Sequence, residues 1–177
     1  YLPVVTGSVA ITVVWKWILN PYNGILNQVT NNVGFDWLGN QRTALWFIIL
    51  ILFTTSIGQP IVLYVAALGN VDQSLIEAAQ VDGATKLQVF WKIKWPQIMP
   101  TTLYVLVITT INSFQCFALI QLLTKGGPLD STMTIMYQVY DTAYRLNDLG
   151  YANAIGVVLA IIIATFSAIQ FKVAKTD

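Results

Sequence analysis

Asn112, Ser113, Gln115 and Gln121 stand inside one long apolar run, with Cys116 beside them, and Gln59 stands inside another between Gly58 and Pro60. Polar side chains at membrane depth are costly and usually face a bundle interior or a water-filled path. A primary amide both donates and accepts hydrogen bonds, and so does a serine hydroxyl. Such a set can exchange hydrogen bonds with a hydroxyl-rich solute or with amides on neighbouring helices. Gly58-Gln59-Pro60 also predicts a helix interruption near the middle of its run, and broken helices mark solute sites in many transporters. No charged residue lies in the middle of the later apolar runs. A charged solute would call for a partner charge there, so the pattern favours a neutral one.

A second constellation lies in a polar connection between two apolar runs. It contains the only glutamate of the chain, in Glu77-Ala78-Ala79-Gln80-Val81-Asp82-Gly83. Ser74 stands three residues before Glu77, which predicts a capping box and a short helix over 75–81. Gly83 fits a left-handed stop, because glycine adopts positive φ without strain. Thr85 and Gln88 repeat the capping pattern for a second short helix. That helix is expected to end before Pro96, since the residue before proline disfavours helical backbone. Pro100 allows a third start, into the next apolar run.

Composition narrows the class. Hydrophobic residues make up 56 % of the 177 residues and charged ones 10 %, against about 25 % charged in a soluble domain. The mean hydropathy is +0.65. The fold class expected is all-α integral membrane, forming one helical-bundle domain over 1–177. A net charge of +1 offers no basic stripe for nucleic acid. With no histidine and one cysteine, a disulfide, a zinc site or any other metal centre within the chain is not expected. No phosphate-binding G-x-x-x-x-G-K-[ST] loop is present. No cofactor is expected, and any ATP must be bound by another chain.

Four runs reach the roughly 20 apolar residues that a spanning helix needs. They cover roughly 2–19, 44–68, 101–123 and 151–171. Five of the nine basic residues, Lys86, Lys92, Lys94, Lys172 and Lys175, flank one side. This bias places the Glu77 connection, about 70–100, and the C-terminus in the cytoplasm. Trp15, Trp17, Trp37 and Trp46 near the run ends fit an aromatic belt at the lipid boundary. On the outer side, Asn23-Gly24 signals a turn, and a helix is expected over about 132–145. Ala152, Gly156, Ala160, Ala164 and Ala168 form a small-residue ladder that allows close helix packing in lipid. The chain opens on Tyr1 and an immediate apolar run, without signal-peptide features. It reads as a fragment lacking a natural N-terminal part.

The spacing Glu77-Ala78-Ala79, three residues, Gly83, nine residues, Ile93, then Pro96 resembles the cytoplasmic EAA signature of binding-protein-dependent ABC importer permeases. Trp95 departs from it, standing where that family usually has leucine. The stretches from Lys16 to Asn27, from Ser113 to Pro128 and from Gly150 to Ala152 resemble the maltose-type, carbohydrate-uptake members. The resemblance covers nearly the whole chain, as the last four helices of a six-helix core. It implies a permease subunit moving a sugar or oligosaccharide across the cytoplasmic membrane, with no covalent chemistry of its own. The implied partners are a second permease subunit in a heterodimer, two ATP-binding subunits and an extracytoplasmic solute-binding protein.

It further implies that Glu77, Ala78, Ala79, Asp82, Gly83, Ile93 and Pro96 belong to a coupling helix seated on the ATPase. Gly58, Gln59, Asn112, Ser113, Gln115 and Cys116 are the substrate-path candidates, with Gln115 foremost. Cys116 stands where such permeases often carry another amide. Within the class, the alternative solutes are glycerol phosphate or a polyamine. An ion-coupled secondary transporter is a rival reading, but its proton relay would need buried carboxylates that the runs lack. A membrane enzyme is another, with no histidine or carboxylate pair in the runs to work with.

Overall fold

Three long helical stretches dominate the described residues, each apolar enough to cross a bilayer: Ala44–Gly69, Lys86–Leu123 and Leu149–Val173. The structure, a computed structural model, describes residues 6–174. The opening of the first predicted span, Leu2 to Val5, and Lys175 lie outside the described residues. All regular elements among the described residues are helical.

Helix α1 (Ser8–Ile18) leads into a connection, expected from the basic-residue bias to be an outer one, that contains the short α2 (Ile25–Thr30). Gly24 opens α2, and a Cβ there would collide with the Asn20 carbonyl oxygen, so the chain turns where only glycine fits. The next span is α3 (Ala44–Ser56) followed by α4 (Gly58–Gly69). The predicted interruption shrinks to a single residue, Ile57, which keeps right-handed helical angles. The Ile57 N–H still reaches Phe53 O at 3.1 Å, and the Ile61 N–H reaches Ile57 O at 3.2 Å. Pro60 removes only the donor that the Ser56 carbonyl would have received.

After α5 (Gln73–Val81) comes α6 (Lys86–Val89), a π-helical turn Phe90–Lys94, and α7 (Trp95–Phe114). The helix expected to stop before Pro96 therefore continues through both Pro96 and Pro100. The wider turn explains this. The Trp95 N–H bonds five residues back to Phe90 O, and the missing N–H of Pro96 falls in the first turn of α7, where proline is tolerated. The same run breaks elsewhere, at residues 115–117, before α8 (Ala118–Leu123).

In the second connection expected to be outer, Thr134 caps α9 (Ile135–Tyr140), which runs on into a π-helical turn Asp141–Arg145. This is the expected 132–145 helix, slightly shortened. Arg145 and Asp141 pair at 3.1 Å within that turn. The last span is α10 (Leu149–Ala174). It packs along α7 and against α9, while α4 packs on α7 and α1 on α8. Of its small-residue ladder, Ala152 is buried, Gly156 is half-buried, and Ala160, Ala164 and Ala168 are exposed. A four-residue stripe drifts around a helix of 3.6 residues per turn, so only its start meets the helices described.

Two apolar cores sit at opposite ends of the bundle. One gathers Leu19, Ile48, Ile51, Cys116, Leu119, Ile120 and Tyr137 beneath the two outer connections. The other gathers Val71, Ile76, Val89 and Ile98 around the 70–100 connection. Between them the spans expose large apolar side chains such as Phe53, Val65, Leu106, Ile161 and Phe166. These form the surface left for lipid or further helices.

Candidate functional site

Of the amides anticipated from sequence, Gln59 and Asn112 share one cleft, and Gln115 and Gln121 lie off its lining. A cleft of about 640 Å³ opens between α3, α4 and α7. Gln59 reaches it from the first turn of α4, and Asn112 and Ser113 from the last turns of α7. Thr55, Thr109 and Tyr104 add hydroxyls to the lining, and no lining residue is charged. The Ser113 and Thr109 hydroxyls donate back to the carbonyls four residues earlier, at 2.8 and 2.6 Å. Each keeps acceptor capacity for a guest. The Gln59 and Asn112 side chains are exposed and make no hydrogen bond among the described residues. They do not pair with one another across the helices.

Gly58 is buried at the bend and does not line the cleft. Gln115 is exposed at the end of α7, where the chain leaves the helix, and is also off the lining. Cys116 is buried in the outer core. Sequence reasoning missed Tyr104 and Thr109. Their signal was spacing, since 104, 108 and 112, with 105 and 109, repeat at helical intervals along one face. A smaller cavity of about 400 Å³ lies among the outer connections, with Lys16 and Asp36 in its wall. None of the anticipated substrate-path residues lines it, so the larger cleft is the better candidate for a solute.

The 70–100 connection is built as two short capped helices on the second core. Its first cap differs from expectation. Asp72, not Ser74, is the N-cap: its Oδ1 accepts from the Ser74 N–H at 2.9 Å and the Ser74 hydroxyl at 2.7 Å. A carboxylate is the stronger acceptor, so Ser74 is spent as a donor and the Ser74–Glu77 box does not form. Those two bonds hold the Asp72 carboxyl below the usual carboxylate range. The second box forms as expected, with the Gln88 N–H to Thr85 Oγ1 at 3.4 Å and the Thr85 N–H to Gln88 Oε1 at 2.8 Å.

A depressed carboxylate pKa contributes its stabilisation above the unfolded value and loses it as pH falls through the folded one. The Asp72 cap is therefore complete at neutral pH and fails only at pH below the ordinary carboxylate range. Asp72→Ala is expected to fray the first turn of α5, while Glu77→Ala leaves it intact. Amide hydrogen exchange at residues 73–76 checks this. Equal protection in the two variants would return the capping role to Glu77.

Gly83 adopts φ +79. The Ala84 N–H bonds to Ala79 O at 2.9 Å and the Gly83 N–H to Gln80 O at 3.0 Å. This six-to-one and five-to-two pair is the Schellman stop that the glycine allows. Ile76 and Ala79 turn toward the second core, joined by Ile93 and Trp95. Trp95 also lies 5.5 Å from the Trp91 ring, so the residue that departs from the motif packs at this end of the bundle. Glu77, Ala78, Asp82 and Pro96 are exposed. So are the apolar Leu75, Leu87 and Val81, the last at 88 %. The connection thus presents an uncovered apolar surface beside Ala78 and Gly83.

Residues 1–175 match the family model described as "Binding-protein-dependent transport system inner membrane component". Among curated proteins, the chain is 35 % identical to the probable ABC transporter permease protein YesP of Bacillus subtilis, over 97 % of this chain and 57 % of that one. It is 31 % identical to the multiple sugar-binding transport system permease protein MsmF of Streptococcus mutans, over 99 % and 61 %. It is 30 % identical to the sn-glycerol-3-phosphate transport system permease protein UgpA of Escherichia coli, over 97 % and 59 %. The chain thus spans about three-fifths of the length of these relatives. The fold matches a chain in the crystal structure of a bacterial alginate ABC transporter in complex with an alginate pentasaccharide-bound periplasmic protein. That match has a TM-score of 0.82 and 26 % identity, covering 96 % of this chain and 60 % of the other. Motif, helical architecture and comparisons agree: the chain belongs to the family of binding-protein-dependent transport system inner membrane components.

Proposed function

We propose that this chain is the membrane-spanning permease part of an ATP-driven importer for a neutral sugar or oligosaccharide. It carries no ATP chemistry itself. It works as one domain over 1–177, with a second permease subunit, two ATP-binding subunits and an extracytoplasmic solute-binding protein. The 70–100 connection and the C-terminus face the cytoplasm. Glu77, Ala78, Ala79, Asp82, Gly83, Ile93 and Pro96 form or support the surface that seats on the ATPase. The apolar Leu75, Val81 and Leu87 supply its uncovered contact area. ATP-driven closure of the ATPase pair moves this connection and switches the cleft between outward and inward access.

The observation that carries the solute reading is the charge-free cleft lined by Gln59, Asn112 and Ser113. Unpaired amides and hydroxyls suit sugar hydroxyls, and a phosphate or ammonium group would find no countercharge on this wall. Gln115 and Cys116 lie just beyond it, at the break, and border the path rather than line it. The relative named as an sn-glycerol-3-phosphate transport system permease protein supports a second reading, in which a cation supplied by another subunit completes the site.

Transport by the reconstituted full complex separates these readings. The double variant Gln59→Leu, Asn112→Leu is expected to raise the KM for an oligosaccharide roughly tenfold or more, with assembly and basal ATP hydrolysis kept. Each neutral hydrogen bond contributes about 0.5–1.5 kcal/mol, and a tenfold change is about 1.4 kcal/mol. Uptake of sn-glycerol 3-phosphate by wild type, in preference to every neutral sugar offered, would overturn the neutral-solute reading.

A further inference from the structure

The break that ends α7 is held from the outer side of the molecule. In a continuous helix the Cys116 carbonyl would accept the N–H four residues on. Here it accepts the hydroxyl of Thr134 at 3.0 Å, from a residue eighteen positions later. The same hydroxyl accepts the Tyr137 N–H at 3.2 Å and so caps α9. One oxygen thus fastens the start of the outer helix to the broken end of the span. Phe117, at the break, lies 4.7 Å from the Tyr140 ring and 6.3 Å from that of Tyr137. Cys116, Leu119, Ile120 and Tyr137 share the outer core. Asn112 and Ser113, on the cleft wall, stand one turn before the break.

We propose that Thr134 is a positioning residue that pins the break at 115–117 and thereby sets how Asn112 and Ser113 face the cleft. A buried carbonyl without a donor is costly. Lacking the Thr134 hydroxyl, the Cys116 carbonyl regains a donor only by winding α7 and α8 together, which draws Cys116 from its place in the core and turns the end of α7. Helix α9 becomes the link between the outer face, where Tyr144 is exposed, and the cleft. The step from position to solute affinity rests on the transport role proposed above. The pinning itself does not.

The chain provides its own reporter, because Cys116 is its only cysteine and is buried. The test measures alkylation of Cys116 by N-ethylmaleimide in membranes holding the full complex, quantified on the Cys116 peptide, for three variants. Thr134→Ser keeps both bonds and is expected to label at the wild-type rate. Thr134→Val removes both and is expected to label several-fold faster. Thr134→Gly removes the donor, yet glycine is itself a good N-cap, and it is expected to label as fast as Thr134→Val.

Wild-type labelling of Thr134→Gly would overturn the proposal, because the hydroxyl would then matter only as a cap. The glycine variant also decides the matter if Thr134→Val fails to insert. The KM for solute is expected to rise several-fold in Thr134→Gly and to stay near wild type in Thr134→Ser. Fast labelling with an unchanged KM would leave the pinning in place and count against the solute role of the cleft.

Discussion

Gly83→Val is expected to insert and to retain the ATPase, yet to lose binding-protein-stimulated ATP hydrolysis and transport together. The reason lies first in the backbone. Gly83 sits at φ +79, a region that costs an L-residue about 1–2 kcal/mol and a β-branched one more. Nothing in the chain lies within 4 Å of an added Cβ, so no internal clash adds to that cost. Relief comes instead from rotating φ to negative values. That breaks the bonds from Ala84 to Ala79 and from Gly83 to Gln80, and it re-aims α6 relative to α5. The second core, built on Ile76 and Val89 from those two helices, then holds α5 at a different angle, although the spans are untouched.

Gly83→Asn provides the control, because asparagine tolerates the left-handed region. It is expected to recover most of the stimulated hydrolysis. The measurement takes membrane insertion, ATPase co-purification and stimulated hydrolysis from the same preparations. Wild-type stimulation by Gly83→Val with the ATPase bound would mean that the connection is only a linker.

The contrast between Gly83 and Ser74 shows what local sequence can settle. A glycine after a short amphipathic run has few competing uses, and its left-handed stop was legible. Ser74 fitted a capping pattern, but Asp72 two residues earlier could also cap, and the charged acceptor wins once the helix starts two residues sooner. Three of the four expected spans were legible because apolar length is a strong signal; of the first, the described residues hold only the shorter helix Ser8–Ile18. The internal geometry of the spans was less legible. The proline rule that predicted an end before Pro96 yields to a π-helical turn, which realigns the ladder so that the missing donor falls in a first turn. The break at 115–117 contains neither glycine nor proline, and its partner Thr134 is remote in sequence, so no local pattern announced it. The polar residues of the cleft were legible because amides stand out in apolar runs. That Gln115 falls off the lining was not, since it depends on α7 ending just there.

Asn27→Ala is expected to be the most destabilising single substitution outside the spans. Asn27 is fully buried, yet its polar side chain has every need met. Its Nδ2 donates to Pro21 O at 2.7 Å and to Phe35 O at 2.8 Å, and its Oδ1 accepts from the Trp37 indole N–H. One amide therefore ties three points of the outer connection together. Truncation leaves the Phe35 carbonyl and the Trp37 indole N–H without partners, each costing about 1–3 kcal/mol if water cannot replace the lost bond, while the Pro21 carbonyl keeps only the Gly34 N–H at 2.8 Å. A loss of at least about 2 kcal/mol follows, a large fraction of the 5–15 kcal/mol typical of a folded domain. The damage spreads because Trp37 packs 4.6 Å from Phe35 and 5.2 Å from Phe47, and the Trp37 carbonyl holds the Thr43 hydroxyl at 2.7 Å, where α3 begins. Asn27→Asp should fail almost as badly, since a carboxylate can accept from Trp37 but faces two carbonyls with no proton to give. Thermal unfolding in detergent and limited proteolysis across 20–43 read the effect. A wild-type melting temperature and cleavage pattern for Asn27→Ala would show that the outer connection is held by its apolar packing alone, and that the amide at its centre is dispensable.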